Sequence, residues 1–139
     1  MSVISISVEL ESKGHADTKD ITGALAQAVS QSGIVNGIAA VFCPSSTSGI
    51  TTLEFESGCI QDLSRLFDEI VDPGRDYAHN ARWGDGNGHS HVRAALLGPS
   101  LTIPIVDRRL TLGTWQQVVY VDFDNRPRRR SLVVQIMGE

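Results

Sequence analysis

Hydrophobic and polar residues alternate along the first part of the chain. From Val3 to Leu10 this alternation has the period of a strand with one buried face. Short apolar runs at Gly37–Cys43 and Ile50–Phe55 predict two further strands, of which the first is buried on both faces. The last third of the chain is predicted to be almost entirely strand. Its segments are Leu101–Val106, Thr114–Phe123 and Ser131–Met137.

Two longer segments carry apolar residues at the spacing of an amphipathic helix. The first is predicted to begin near Thr18 or Asp20, either of which can act as the N-cap, and to end at Gly33. The second, Gly58–Val71, repeats apolar residues at positions i, i+4, i+7 and i+8. A short helix is also predicted over His89–Leu97, before Gly98-Pro99.

The order of these elements is strand, helix, two strands, helix, loop and several strands, which is typical of the α+β class. We expect one domain over residues 1–139, with a mostly antiparallel sheet, two main helices and a long polar loop. The loop runs from Asp72 to about Gly88. Loops of this length are usually functional or disordered, and Tyr77 and Trp83 are atypical of a disordered linker.

Composition and charge narrow the class of protein. A chain of 139 residues can fold around one core without a disulfide or a metal. Its 41% apolar and 20% charged residues are typical of a globular protein, and its net charge of −4 argues against binding to nucleic acid or to an anionic membrane. No apolar run reaches the ~20 residues of a membrane span. Met1–Ser5 lacks the basic start of a signal peptide, so a cytoplasmic location is expected.

The two cysteines, Cys43 and Cys59, do not form a CxxC motif. Each has an apolar neighbour, Phe42 and Ile60 respectively. Buried free thiols are therefore expected, with a disulfide or a nucleophile as the alternatives.

The polar loop and the start of the following helix carry most of the candidate chemistry. His79, His89 and His91 lie there together with Asp85 and Asn87. These residue types bind zinc and other divalent metals, and histidine is the usual general acid or base near neutral pH. Residues two apart on a helix diverge by about 200°, so only one of His89 and His91 is expected to face the site. The alternative is that these side chains satisfy one another in an ordered surface loop.

Two other polar segments are candidates for a binding site. Hydroxyl groups and backbone N–H groups of Ser45–Thr52 could bind a phosphate or a carboxylate, although a polar turn with strand-favouring threonines has the same pattern. Thr114 and Gln116, which follow Gly113, point the same way and either line a site or face solvent. Trp115, between them, is expected to have a packing role.

A run rich in arginine lies near the end of the chain. Asp124–Arg128 is predicted to connect two strands as a hairpin, and four arginines fall within Arg126–Arg130. We interpret the run as a solvated turn that protects a sheet edge from aggregation. The chain is acidic and no aromatic residue interleaves with the arginines, so no binding to nucleic acid is expected.

Together these segments resemble the YjbQ family of small proteins. The resemblance spans about Gly37 to Glu139, and its strongest stretch is NGHSHVRAALLGPS at Asn87–Ser100. The other matching segments are Thr102–Ile105, Leu110–Gln116 and Met137–Glu139.

The resemblance implies an α+β fold assembled as a homotrimer, with a polar site near the subunit interfaces. It also implies a weak thiamine-phosphate synthase activity, which joins a pyrimidine pyrophosphate to a thiazole phosphate. Such a reaction needs a cation or hydrogen-bond donors at the departing pyrophosphate. The expected partners are therefore a small phosphorylated molecule or another anion and a divalent metal, zinc or magnesium. A non-catalytic trimer that binds a small anion or a metal is the alternative.

The candidate site residues follow from these patterns and from the resemblance. The residues assigned to catalysis are His79, Asp85, Asn87 and His91. The residues assigned to a metal are His79, His89 and His91. The residues assigned to the substrate or anion are Ser45, Ser46, Thr47, Thr51, Glu54, Thr114 and Gln116. Family members commonly carry histidine where this chain has Ser45, so the site is expected to be altered here.

Overall fold

The computed structural model describes residues 1–139 and contains eight strands and four helices. The strands are β1 Ser2–Ser12, β2 Asp17–Asp20, β3 Gly37–Phe42, β4 Ser48–Leu53, β5 Ser100–Val106, β6 Arg109–Leu110, β7 Gln117–Asp122 and β8 Arg128–Gly138. The helices are α1 Thr22–Ser32, α2 Ser57–Ile70, α3 Ala78–Trp83 and α4 Gly88–Leu97. None of them combines the length and the apolar character needed to span a bilayer.

The strands form two antiparallel sheets. Sheet 1 has the order β1-β8-β3-β5-β6 and sheet 2 the order β2-β7-β4. β8 pairs with β1 along its whole length, from Ser2 opposite Gly138 to Ser12 opposite Arg128. β7 and β8 follow one another in the chain but belong to different sheets, so the predicted hairpin at Asp124–Arg128 is wrong. A hairpin and a crossover between sheets share one local pattern, two alternating strands joined by polar residues, and only the pairing of each strand distinguishes them.

Apolar side chains form two cores, one on each face of sheet 2. The larger core lies between the two sheets and α1, where Leu25 and Val29 of the helix pack against both sheets. On the other face, Phe67 of α2 and Ala94 of α4 cover β7. β7 is consequently buried on both of its faces, which explains its nearly continuous apolar sequence, Val118–Val121.

The inner faces of β7 and β8 change from apolar to charged at the same end of the larger core. Alternate residues of a strand share a face. The inner face of β7 and its continuation carries Val118, Tyr120, Asp122 and Asp124, and that of β8 carries Ile136, Val134, Leu132, Arg130 and Arg128. Two acidic and two basic side chains are thereby placed together where the apolar core ends.

The helices agree with the predicted ones except in two places. The first helix begins at Thr22, because Asp17–Asp20 pair with β7 as an edge strand. Asp20 accepts a hydrogen bond of 2.9 Å from the backbone N–H of Thr22. The residues of β2 do not alternate between apolar and polar, so the hydrophobic pattern of the sequence does not predict this strand. The long polar loop is interrupted by α3, which ends at Gly84 in the left-handed conformation (φ 65°).

Two side chains expected to pack or to be buried are more exposed than expected. Trp115 is 73% exposed. Both cysteines are free and Cys43 is buried, but Cys59 is only partly buried, at the start of α2. The thiol of Cys59 lies 4.0 Å from a carboxylate oxygen of Glu54. An apolar neighbour in sequence is therefore a poor guide to burial at the first turn of a helix.

Candidate functional site

A polar pocket of about 370 Å³ lies at the charged end of the larger core. It is bounded by the β3–β4 connection, by the loop before α4 with α4 itself, and by the crossover from β7 to β8. The lining residues are Pro44, Ser45, Ser46, Thr47, Asp85, Asn87, His91, Asp124, Arg128 and Arg130. Apart from Pro44, every one of them is polar, so the pocket suits a charged, strongly hydrated ligand.

Paired charges form the floor of the pocket. Asp122 and Asp124 are almost completely buried. Arg130 donates through Nε and Nη2 to the carboxylate of Asp122, at 2.8 and 3.0 Å, and through Nη2 to Oγ1 of Thr47 at 2.9 Å. Arg128 donates through Nε to Asp124 at 3.1 Å. Each buried carboxylate therefore has its own guanidinium partner, as buried charges require.

Asp124 is held in its ionised form. Burial alone would raise its pKa, but the hydrogen bond from Thr47 (2.9 Å) and the charge of Arg128 outweigh burial and lower the pKa. An Asp with a lowered pKa is a weak base. Arg128 uses only its Nε in this contact and its side chain is 34% exposed. Its two terminal nitrogens are therefore free to bind a ligand.

His91 lines the pocket, and His79, which is not among the lining residues, packs against it. Their ring centroids are 4.3 Å apart, with 47° between the ring planes. Nε2 of His79 lies 3.1 Å from Oδ2 of Asp85, and Oδ1 of Asp85 accepts the backbone N–H of Asn87 at 3.1 Å. The contact with His79, followed by that with Asn87, lowers the pKa of Asp85. A neutral His79 that donates through Nε2 keeps Nδ1 as a proton acceptor, the arrangement of a general base oriented by a carboxylate.

Hydrogen bonds fix the loop that carries these residues. The backbone N–H of Gly88 donates to Oδ1 of Asn80 at 2.8 Å, and a Cβ at Gly88 would lie only 2.5 Å from Cβ of Tyr77. Oδ1 of Asn87 accepts the backbone N–H of Asn125 at 3.1 Å. Asn87 is buried and joins α4 to the crossover, so its observed role is to position the pocket walls.

A strained backbone segment, residues 14–16, is hydrogen-bonded to the start of the crossover from β7 to β8. Gly14, His15 and Ala16 all have positive φ, at 75°, 53° and 67°. The backbone N–H groups of His15 and Ala16 donate to the backbone oxygens of Asp124 and Asp122, each at 2.8 Å. A Cβ at Gly14 would lie 2.5 Å from the oxygen of Asp124. Left-handed backbone at residues other than glycine is costly and concentrates at functional sites.

His89 lies away from the pocket. It is buried, Nδ1 has no hydrogen-bond partner, and Nε2 lies 3.4 Å from Oγ of Ser90. Burial, followed by the charge of Arg93, lowers the pKa of His89. The helical geometry of α4 thus separates the pair: His91 lines the pocket and His89 faces the protein interior.

The structure divides the residues predicted to bind a substrate or anion into two groups. Ser45, Ser46 and Thr47 line the polar pocket. Thr114 and Gln116 line another cavity beside α1, and Gln116 donates to Thr52 at 3.2 Å. The pocket lining includes neither Thr51 nor Glu54. Only the beginning of the hydroxyl-rich segment therefore contributes to the pocket.

The donor chemistry at the mouth of the pocket suits a divalent metal, but its geometry does not form a ready site. Imidazole and carboxylate groups bind zinc and related metals. His79 approaches Asp85 and His91 in separate pairs. The one group of three ligand atoms that lie within 4.8 Å of one another belongs to Glu54, Glu56 and Cys59. The pocket thus has no preformed metal triad.

Three charged lining residues, Asp124, Arg128 and Arg130, are absent from the set predicted from sequence. A signal for them exists. Asp122 and Asp124 lie two apart, as do Arg128 and Arg130, so each pair extends the alternation of a strand. Charged residues that replace apolar ones at the inward positions of two strands indicate a polar end to the core.

Comparisons with known proteins agree with this architecture. The family model described as UPF0047 protein YjbQ-like matches residues 6–139. A UPF0047 protein of Methanothermobacter thermautotrophicus is 36% identical over 139 residues, which cover 100% of this chain and 95% of that protein. A crystal structure of a YbjQ-like protein of unknown function from Sulfolobus solfataricus has a TM-score of 0.89 at 31% identity, and the match covers 99% of this chain and 100% of that one. A hypothetical protein from Aeropyrum pernix has a TM-score of 0.88 at 32% identity, with 100% of both chains covered.

Proposed function

The chain belongs to the YjbQ-like family of UPF0047 proteins, and from that membership we propose that its polar pocket binds a small phosphorylated molecule and carries out acid–base chemistry on it. One observation carries this proposal. A guanidinium with free N–H groups, hydroxyl groups and an imidazole line one cavity in which every lining residue except Pro44 is polar; these groups belong to Arg128, Ser45, Ser46 and His91. This combination provides cationic donors for a phosphate and a proton carrier beside it.

The phosphate-binding groups are those without an internal partner. Arg128 can donate from both terminal nitrogens, and a guanidinium matches two phosphate oxygens at once. The backbone N–H and the hydroxyl of Ser46 make no hydrogen bond within the protein. The first turn of α4, where His91 lies, contributes the partial positive charge of a helix N-terminus.

The acid–base group is His91, which lies beside the pair formed by His79 and Asp85. In the thiamine-phosphate synthase reaction that the family resemblance implies, the thiazole nitrogen forms a bond to the methylene carbon of the pyrimidine pyrophosphate. The carbon–oxygen bond breaks, and pyrophosphate leaves with the electron pair. Arg128 and Ser46 would stabilise the charge that develops on pyrophosphate, and His91 would donate a proton to it. This transfer is the first activity to assay.

Binding and chemistry are tested separately. Calorimetry with pyrophosphate is expected to give a dissociation constant about tenfold higher for Arg128→Gln than for the parent, because a charge-assisted contact is lost. The matched control Arg129→Gln removes an exposed arginine outside the pocket and should leave the affinity unchanged. His91→Ala should lower turnover by about 100-fold or more while pyrophosphate still binds. Parent affinity in Arg128→Gln refutes the anion site, and parent turnover in His91→Ala refutes the acid–base role.

As an alternative to the proton-donor role of His91, we propose a divalent metal, zinc or magnesium, as the cofactor of His79, Asp85 and His91. Its support is the donor chemistry of these three side chains. Metal analysis of the purified protein should give less bound metal in His91→Ala than in the parent. Ser45→His adds an imidazole to the pocket wall that His91 also lines, and should raise the metal content. Equal metal content in all three proteins contradicts the proposal.

The alternative proposal is a non-catalytic homotrimer that binds a small anion or a metal. The complete pairing of Asp124 favours this alternative. A carboxylate that already accepts several hydrogen bonds, and whose pKa is lowered by them, is a poor proton acceptor. Exposed apolar residues on the outward face of sheet 1 favour self-association. These residues are Val3, Ile38, Phe42, Val133 and Met137. Light scattering should give the mass of three chains. Turnover on any phosphorylated substrate rejects the non-catalytic alternative, and a monomer rejects the trimer.

A further inference from the structure

A second cavity, of about 350 Å³, lies between α1 and the turn that joins β5 to β6. Its volume is at the lower end of the range of small-molecule sites. Ala26 and Val29 of α1 and the side chains of Leu110 and Leu112 form an apolar floor. The cavity shares no lining residue with the polar pocket. A ligand here would therefore contact residues that the proposed function does not use.

Two positive charges without partners stand at the rim of this cavity. Arg108 and Arg109 both line it, and neither takes part in an ion pair or a side-chain hydrogen bond. The neighbouring amide of Gln116 is already engaged, because its Oε1 accepts the N–H of Gly113 and its Nε2 donates to Thr52. In a chain with a net charge of −4, adjacent free guanidiniums beside an apolar cavity attract a negatively charged ligand.

The backbone that carries these arginines is strained. Asp107 and Arg108 occupy the two central positions of the turn with φ of 50° and 65°. Such turns favour Asn-Gly, because a side chain disfavours the left-handed conformation. The backbone N–H of Arg108 donates to the oxygen of Val35 at 2.9 Å, and that of Asp107 donates to Oδ1 of Asn36 at 3.3 Å. Arg108 thus occupies a position at which glycine would be unstrained. Backbone strain of this kind costs stability and is concentrated at ligand-binding sites.

We propose that this second cavity binds a small amphipathic carboxylate. Its aliphatic chain lies against Val29, Leu110 and Leu112, and its carboxylate lies between Arg108 and Arg109. The apolar floor excludes a fully hydrated anion such as free phosphate, because burying polar atoms without partners is unfavourable. The guanidiniums select an acid over an amine of the same length, since they pair with a carboxylate through two N–H groups.

Octanoate is the probe for this proposal, with octylamine as the cationic control. Calorimetry and NMR on the full chain should detect octanoate binding at millimolar concentration or below, with the largest amide shifts at Leu110 and Leu112. Arg108→Gly should raise the dissociation constant about tenfold. The same variant should melt at a temperature no lower than the parent, because glycine removes the backbone strain. Arg109→Gln should also bind weakly, and Arg129→Gln should bind with parent affinity.

Several outcomes overturn the proposal. Octylamine binding as tight as octanoate binding would remove the selection by charge. Parent affinity in both Arg108→Gly and Arg109→Gln would remove the arginines from the site. Amide shifts centred on Ser46 and His91 would assign octanoate to the polar pocket. Absence of binding at about 10 mM octanoate would end the proposal outright. None of these results bears on pyrophosphate binding, so the two sites are tested independently.

Discussion

Replacing Arg130 by methionine tests whether the charges at the end of the core stabilise the fold. Methionine keeps an unbranched chain but removes the donors to Asp122 and Thr47. Asp122 has no exposed surface, so it becomes a buried carboxylate without its partner. Removing one member of a buried ion pair costs about 3–5 kcal/mol. The side chain of Arg130 is 16% exposed, so some solvent screening remains and a loss near 3 kcal/mol is expected.

Urea unfolding at neutral pH measures this loss directly. For a domain of this size, each kcal/mol corresponds to roughly 3–5 °C in melting temperature, so Arg130→Met should melt about 10–15 °C below the parent. A double-mutant cycle with Asp122→Asn separates the pair from its surroundings. Once the carboxylate is neutral, methionine at position 130 should cost about 2 kcal/mol less. The exposed Arg129→Met is the control and should stay within about 0.5 kcal/mol of the parent.

Two results would refute this reasoning. One is a loss below about 1 kcal/mol in Arg130→Met, which would mean that water solvates Asp122 freely in the variant. The other is strict additivity of Arg130→Met and Asp122→Asn, which would mean that the two side chains do not interact.

Three further predictions concern residues around the pocket. The pKa of the buried His89 lies below its ordinary value of 6.5, so below pH 6.5 the unfolded chain binds a proton at this residue and the folded chain does not. The free energy of unfolding should therefore fall as the pH drops through 6.5, and its slope against pH should be shallower in His89→Met. Gly88→Ala should cost about 1–3 kcal/mol by urea unfolding, because its Cβ would meet Tyr77 at 2.5 Å, whereas Gly23→Ala has open space and should not destabilise. The hydrogen bond to Glu56, and then desolvation, raise the pKa of Cys59 to about 11. Alkylation of Cys59 by iodoacetamide at pH 8 should therefore be slow and should be faster in Glu56→Gln. Equal alkylation rates in the parent and in Glu56→Gln would show that Glu56 does not raise this pKa.

Most elements of the fold can be predicted from periodicity because burial on one face determines it. α2 and α4 lie within one residue of the predicted helices, since apolar spacing defines a helix that packs on a sheet. β2 could not be predicted in this way. Its polar residues Asp17–Asp20 form a strand through backbone pairing with β7, and backbone pairing has no side-chain signature.

The candidate site was predictable in part for a related reason. His79, Asp85 and His91 lie in one segment, so local composition is enough to group them. Asp124 and Arg128 join that group only because β7 and β8 belong to different sheets that separate at this point. The prediction that the arginines lie on a solvated hairpin was wrong, because β7 and β8 do not pair and Arg128 and Arg130 line the pocket. Which strands pair depends on residues that are distant in sequence, so a local pattern cannot predict it.

The central position of β8 in sheet 1 has a consequence for how the domain forms during synthesis. β8 is the last strand of the chain described here and lies between β1 and β3, so residues 128–138 join two strands that would otherwise not meet. Their most distant pair, Ser2 with Gly138, spans nearly the whole chain, and loop closure of this length slows folding. Until β8 leaves the ribosome, β1 has no partner strand and β3 exposes one edge. Before β8 is in place, these unpaired edges are the surfaces at which strands of other chains can pair.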